Sequence, residues 1–259
     1  CTKKMTFNQC LRGENDFISK HTLNVAILTA LLAGKMQLDN KEKKYLIEAA
    51  IFHDLGKFLV PPEILQKQGT LTDEEMGVMY RCLLDGFHIL STNYEYPAGV
   101  RRYIIQLSRD LSNRLPSYSN YDQVLLPGTR IIQVADIYDT LTAIRSYKSP
   151  MSPFSALKIM RSEPQRYDSS VVDALEQCIH ILPAGSYVEL SNGEQGIIVR
   201  ENPNVLSRPV VLGLKSNTLY DLGMKATFSQ IQIVDTVFTP DNRQQVQSDV
   251  SKLVASLRS

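Results

Sequence analysis

The sequence predicts a mainly α protein: an all-helical domain, then a small antiparallel β module, then a C-terminal helix. Three observations predict it. The periodicity is helical from Asp16 to about Cys178. It changes abruptly at Leu182-Pro183-Ala184-Gly185, beyond which short β-branched runs alternate with turn signals. The 259 residues, 43% hydrophobic and 21% charged, are enough to bury one substantial core beside a smaller module.

Residues 1–13 read as an N-terminal tail, and the helical domain is expected over about 14–180. His21, Val25, Leu28 and Leu32 fall at i, i+4, i+7 and i+11, one face of a first helix. A second starts near Asn40 as N-cap, runs through Tyr45, Ile47, Ala49 and Ile51 to His53-Asp54, and stops near Gly56. Pro61-Pro62 mark a loop, and Thr72-Asp73-Glu74-Glu75 opens another helix with a capping-box pattern. Further helices are predicted over about 98–112, 128–146, 152–163 and 168–180, with a Ser-, Asn-, Tyr- and Pro-rich loop over 112–127. The β module, about 184–238, shows runs at 187–190, 196–200, 209–212 and 231–234. Asn192-Gly193, Asn202-Pro203-Asn204 and Asp221-Leu222-Gly223 are its turns. Residues 241–257 read as a terminal helix.

Composition excludes several classes. With 28 Lys+Arg against 27 Asp+Glu, the net charge is +1, so no nucleic-acid polymer is expected as partner. No stretch approaches the roughly 20 apolar residues of a membrane span. No basic stretch precedes an apolar core at the N-terminus, so no signal peptide is expected. The chain opens on Cys1 instead of Met, which reads as a fragment with room for a preceding domain. Cys1, Cys10, Cys82 and Cys178 lack the close pairing of a disulfide scaffold and read as free thiols in a reducing cytoplasm.

Two of the four histidines stand out by their company. His53 precedes Asp54 directly, setting a neutral nitrogen beside a hard oxygen, the mixture a catalytic divalent metal accepts. Lys57 lies one turn on, where its ammonium can reach the same spot and meet a phosphate oxygen. Asp136 is embedded in the apolar run Ile131-Ile132-Gln133-Val134-Ala135 and needs a partner, because a bare buried charge costs several kcal/mol. Asp139, three residues further, can orient a ligand or cap a turn. His88 and His180 have no such company. Arg101-Arg102, with Arg109 and Arg114, form a modest basic cluster suited to a phosphate or to solvent.

His21, His53-Asp54 and Asp136 together match the H…HD…D signature of the HD superfamily of metal-dependent phosphohydrolases. Within it, three stretches resemble the HD-GYP subfamily: His53-Asp54-Leu55-Gly56-Lys57 with Pro62-Glu63-Ile64-Leu65; Gly69 to Glu75; and Arg130 to Thr142 with Arg145 and Tyr147. The resemblance covers roughly Asp16 to Cys178. It implies an HD-domain helical bundle, two or three metals, commonly iron or manganese, and hydrolysis of cyclic di-GMP. The small β module resembles the extension found after some of these domains.

The chain also departs from that pattern. Cys82 stands where the subfamily places a metal-binding His. Near Leu107-Ser108-Arg109 there is neither the His-His-Glu stretch nor Gly-Tyr-Pro, and Asp16 is one position off the acid that holds a third metal. What survives is His21, His53, Asp54 and Asp136, the set with which simpler HD phosphohydrolases hold one metal. The expectation is therefore a degenerate HD-GYP-like phosphohydrolase with one divalent ion (Fe, Mn or Zn) per chain. Asp54 and Lys57 would be catalytic, and the ligand a cyclic dinucleotide or another nucleotide phosphate ester. The alternative is a catalytically inactive HD-GYP-like signalling or protein-interaction module.

Overall fold

α1 (Phe17–Lys35) buries the stripe marked by its sequence: His21, Val25, Leu28 and Leu32 are each at most 1% exposed. Apolar side chains at this spacing share one face, and burying that face stabilises the helix. The computed structural model describes residues 4, 17–67, 69–93, 96–112, 125–143 and 151–237. These form two units. The helical unit holds the described residues from Phe17 to Met151 and Met160–Cys178; the other holds Ser152–Ile159 and the described residues from Ile179 onward.

In the helical unit α1 packs on α2 (Asn40–Phe52), α6 (Pro127–Thr142) and α8 (Ser169–Cys178). α2 is capped by Asp39, whose carboxylate accepts from the Glu42 N–H at 2.9 Å. The N-cap is therefore one residue earlier than the sequence suggested, since Asp39 rather than Asn40 has the extended backbone that a cap requires. After α2 comes a 3₁₀ turn (Leu55–Leu59), a short α3 (Pro62–Leu65) and α4 (Asp73–Asn93). Thr72 and Glu75 cap α4 reciprocally, N–H to carboxylate at 2.7 Å and N–H to hydroxyl at 3.3 Å, and Lys67 donates to the same carboxylate at 2.6 Å. α5 (Ala98–Ser112) packs on α2, α4 and α6.

Gly56 and Gly86 set the approach of the 3₁₀ turn to α4. A Cβ on Gly56 would collide with the backbone of Cys82 and Leu83, and one on Gly86 with the backbone of Gly56. Only glycine allows this backbone-on-backbone contact. Downstream, Arg130 of α6 donates to Asp168 at 2.8 Å, and Asp168 also accepts from the Ser170 N–H at 2.9 Å to open α8.

The second unit is a five-stranded antiparallel sheet in the order β4-β3-β2-β1-β5. The strands are β1 (Tyr187–Leu190), β2 (Gln195–Arg200), β3 (Val210–Gly213), β4 (Leu219–Asp221) and β5 (Ile233–Thr236). Four of them occupy the expected runs within a residue or two. β4 and the short α9 (Lys225–Gln230) were not anticipated. Val188, Leu190, Ile198, Val211 and Leu222 form its core, each at most 1% exposed. Gly193, at φ +79°, turns β1 into β2 as its Asn-Gly signal implied. Ser152 caps α7 (Pro153–Ser162), accepting from the Ser155 N–H at 3.0 Å, and its hydroxyl bonds Asp235 of β5. The expected terminal helix, 241–257, lies outside the described residues. Among those described, no helix is long and apolar enough to cross a membrane.

Candidate metal centre

Each polar residue of the helical core is delivered by an element whose local sequence fixes its position. His21 sits on the buried face of α1, and Asp136 and Asp139 lie one turn apart on α6. His53 ends α2 as its C-cap. Carbonyls of a last helical turn lack partners within the helix. His53 Nδ1 uses one, donating to the Ala50 carbonyl at 2.7 Å. A carbonyl only accepts, so Nδ1 carries a proton and Nε2 is the nitrogen left to face the carboxylates, with a second proton or a metal between them. Asp54 opens the 3₁₀ turn, which carries Lys57 back over it.

The two imidazoles then converge on two carboxylates. His21 Nε2 is 3.1 Å from Asp136 Oδ1 and 3.2 Å from Asp54 Oδ2. His53 Nε2 is 3.3 Å from Asp54 Oδ2 and 4.0 Å from Asp136 Oδ1. The rings meet edge to face with centroids 5.4 Å apart. On its far side, His21 Nδ1 donates to Asp139 Oδ2 at 2.7 Å, and the Lys57 ammonium donates to Asp54 Oδ2. His21, Asp54 and His53 side chains are only 1%, 7% and 6% exposed, whereas that of Asp136 is 42% exposed and marks the side open to solvent.

The protonation of this cluster follows from its crowding. Burial lowers the His21 pKa, but hydrogen bonds to Asp136, Asp139 and Asp54 outweigh it and raise the imidazole to about 10. His53 is also raised: burial opposes charge on the ring, and Asp54 and Asp136 overcome it. Burial pushes Asp54 upward, yet His53, Lys57 and His21 hold it well below the usual carboxylate range. Asp136 is likewise depressed, with burial again outweighed, here by His21 and His53.

The donor set fits a divalent metal. One ligand atom from each of His21, His53 and Asp136 lies within 4.8 Å of the others, and the buried Nε2 of His53 makes no hydrogen bond. Buried polar atoms are normally satisfied. Two imidazole nitrogens with carboxylate oxygens are ligands of the kind that iron, manganese and zinc accept.

Every residue singled out for the site is therefore brought together: His21, His53, Asp54, Lys57 and Asp136, with Asp139 behind His21. Others lie elsewhere. Cys82 Sγ donates to the Leu59 carbonyl at 3.5 Å. His88 is exposed on α4. His180 belongs to the sheet unit, where its Nδ1 lies 3.7 Å from Glu201, an acid 21 positions away that sequence spacing had not paired with it. Arg102 pairs with Glu42 at 3.2 Å, and Arg101 is exposed. Asp16, Arg114, Arg145, Tyr147 and the Arg109 side chain lie outside the described residues. One neighbour was missed: Asn24, which donates to Asp139 Oδ1 at 2.8 Å.

A helical unit whose core converges two histidines and two aspartates in the order His, His-Asp, Asp defines a metal-binding helical domain of the HD type. The model of the family described as "HD domain" matches residues 6–171, and the chain belongs to that family. Among curated proteins it is 26% identical over 201 residues to the cyclic di-GMP phosphodiesterase PA4108 of Pseudomonas aeruginosa, covering 78% of this chain and 49% of that protein. It is 31% identical over 159 residues to the cyclic di-GMP phosphodiesterase response regulator RpfG of Xanthomonas campestris pv. campestris, covering 57% and 40%. It is also 31% identical over 171 residues to the 3'3'-cGAMP-specific phosphodiesterase 1 of Vibrio cholerae, covering 63% and 38%. These relatives agree with the HD-GYP-like resemblance read in the sequence. The chain spans half or less of their length.

Proposed function

We propose that the chain is a metal-dependent phosphohydrolase of the HD-GYP-like kind, acting on a cyclic dinucleotide or another nucleotide phosphate ester through one divalent ion. His21, His53, Asp54 and Asp136 would hold the ion. The observation that carries this reading is the convergence of both Nε2 atoms and the Asp136 carboxylate within 4.8 Å. An ion held there supplies Lewis acidity toward a phosphoryl oxygen and acidifies water.

The protein's own groups do the rest. Asp136, the exposed member, is the side of the cluster from which a phosphate can approach. Lys57 offers an ammonium that now contacts Asp54 and that can donate to a non-bridging phosphate oxygen as charge develops. Burial of His21, His53 and Asp54 keeps the electrostatics strong by excluding water behind the cluster.

The test is hydrolysis of cyclic di-GMP, 3'3'-cGAMP and a panel of nucleotide phosphate esters with Mn²⁺ or Fe²⁺, beside His53→Ala. Metal-dependent turnover that disappears in the variant is expected. Absence of such turnover across the panel would favour the second reading, a catalytically inactive module that engages a signalling protein. Cys82 motivates that alternative, since its thiol bonds a backbone carbonyl where the resembled pattern has a metal-binding His.

A further inference from the structure

We propose that Asn24 and Asp139 form a positioning pair that fixes the His21 imidazole and thereby sets the affinity of the centre for its ion. The proposal rests on the metal-binding reading above. Asp139 is 0% exposed, and both of its oxygens accept from α1: Oδ2 from His21 Nδ1 at 2.7 Å, Oδ1 from Asn24 Nδ2 at 2.8 Å. His21 and Asn24 are three residues apart, so they stand side by side on one helix face and grip one carboxylate like two fingers.

The pair does two things to His21. The Asp139 oxygen accepts, so Nδ1 keeps its proton and Nε2 is the atom aimed at Asp54 and Asp136, the one whose proton an ion would replace. The Asn24 N–H on the second oxygen fixes the plane of the Asp139 carboxylate and, through it, the tilt of the ring. Groups that orient a metal-binding imidazole in this way are worth about 10–100-fold in metal affinity. Asn24 supplies this hold without adding charge, so it stiffens the ligand while leaving the charge balance of the centre unaltered.

A reciprocal exchange separates positioning from mere filling of space. The readouts are the Mn²⁺ dissociation constant of the full chain, by chelator competition, and the visible spectrum of the Co²⁺-loaded protein. Asp139→Asn keeps the volume but offers one acceptor to two donors; Mn²⁺ binding should weaken about 10–100-fold and the Co²⁺ bands should shift. Asn24→Ala keeps every charge and should weaken binding by up to about tenfold, with folding verified by circular dichroism.

In N24D/D139N the hydrogen bond is rebuilt with reversed polarity. The new carboxylate at 24 accepts from the new amide at 139, whose oxygen still takes the His21 proton. This double variant should bind at least several-fold more tightly than Asp139→Asn alone, with wild-type-like Co²⁺ bands. If wild type binds but Asp139→Asn and Asn24→Ala bind equally well, or if the exchange rescues nothing, the positioning pair is overturned and the metal reading stands. If wild type takes up no ion, the metal reading itself falls, and the proposal with it.

Discussion

Among the described residues, acidic side chains are drawn out of solvent in two places, and they are built on opposite principles. In the sheet unit Glu194, 8% exposed, is saturated by neutral donors. Its Oε1 accepts from the N–H groups of Lys215 and Ser216 at 2.8 and 2.6 Å, and its Oε2 from the hydroxyls of Ser216 and Tyr220, both at 3.2 Å. In the helical unit Asp54, Asp136 and Asp139 surround two imidazoles, and the Nε2 atoms face carboxylate oxygens across 3.1–4.0 Å. A carboxylate whose acceptors are all met by fixed N–H and O–H groups needs nothing more, and its role is to pin the β3–β4 turn to the β1–β2 turn. Carboxylates and imidazole nitrogens that converge call for a cation, either protons on the histidines or a metal in their place.

The largest effect that would break this contrast falls on the ligands. His53→Ala and Asp136→Ala should abolish stoichiometric metal binding, measured by mass spectrometry, whereas Glu194→Gln should leave it untouched. Next in size is Lys57→Ala. If its ammonium serves the phosphate, kcat/KM on a hydrolysed phosphodiester should drop about 10²-fold with metal content retained. Loss of the metal instead would make Lys57 a support for Asp54.

Gly56→Ala sharpens the comparison from the side of packing. The new methyl must push the 3₁₀ turn away from the α4 backbone, which should cost about 1–3 kcal/mol in urea unfolding. It should also weaken metal binding, because the same turn carries Asp54 and Lys57. The smallest effect is expected in the sheet unit. Glu194 is held below its ordinary carboxylate range, first by the Ser216 N–H against opposing burial. A folded-state pKa that is depressed means stability present above the unfolded value and lost as pH falls through the folded one. Glu194→Gln should therefore flatten the acid limb of thermal unfolding below about pH 4.5, where an unfolded glutamate titrates, while lowering Tm only modestly at neutral pH.

How much of this was legible in the chain depends on the length of the signal. α1 and α6 carry apolar residues over many turns, so the placement of His21 on a buried face could be read directly; Asp136, read as a buried charge, proves 42% exposed, and the buried acid of α6 is Asp139. The His-Asp pair gained meaning only because two other stretches matched in order. Asn24 left a fainter trace. It stands between Leu23 and Val25, three residues from His21, and that spacing alone could have flagged it. β4 has three residues and α9 has six, too short for any periodicity to register. The grip of Glu194 on Lys215 and Ser216 joins residues 21 and 22 positions apart and leaves no local pattern. The Gly56–Gly86 contact is equally silent, since a glycine after His-Asp reads first as a helix stop.

The measurement that tests the central claim most directly is the metal content of the purified chain, beside His53→Ala and Asp136→Ala. Close to one iron, manganese or zinc per chain, lost in both variants, is the result predicted by the converging ligands. No bound ion, and none taken up on reconstitution with any of the three, would contradict it and leave the cluster held by its own protons.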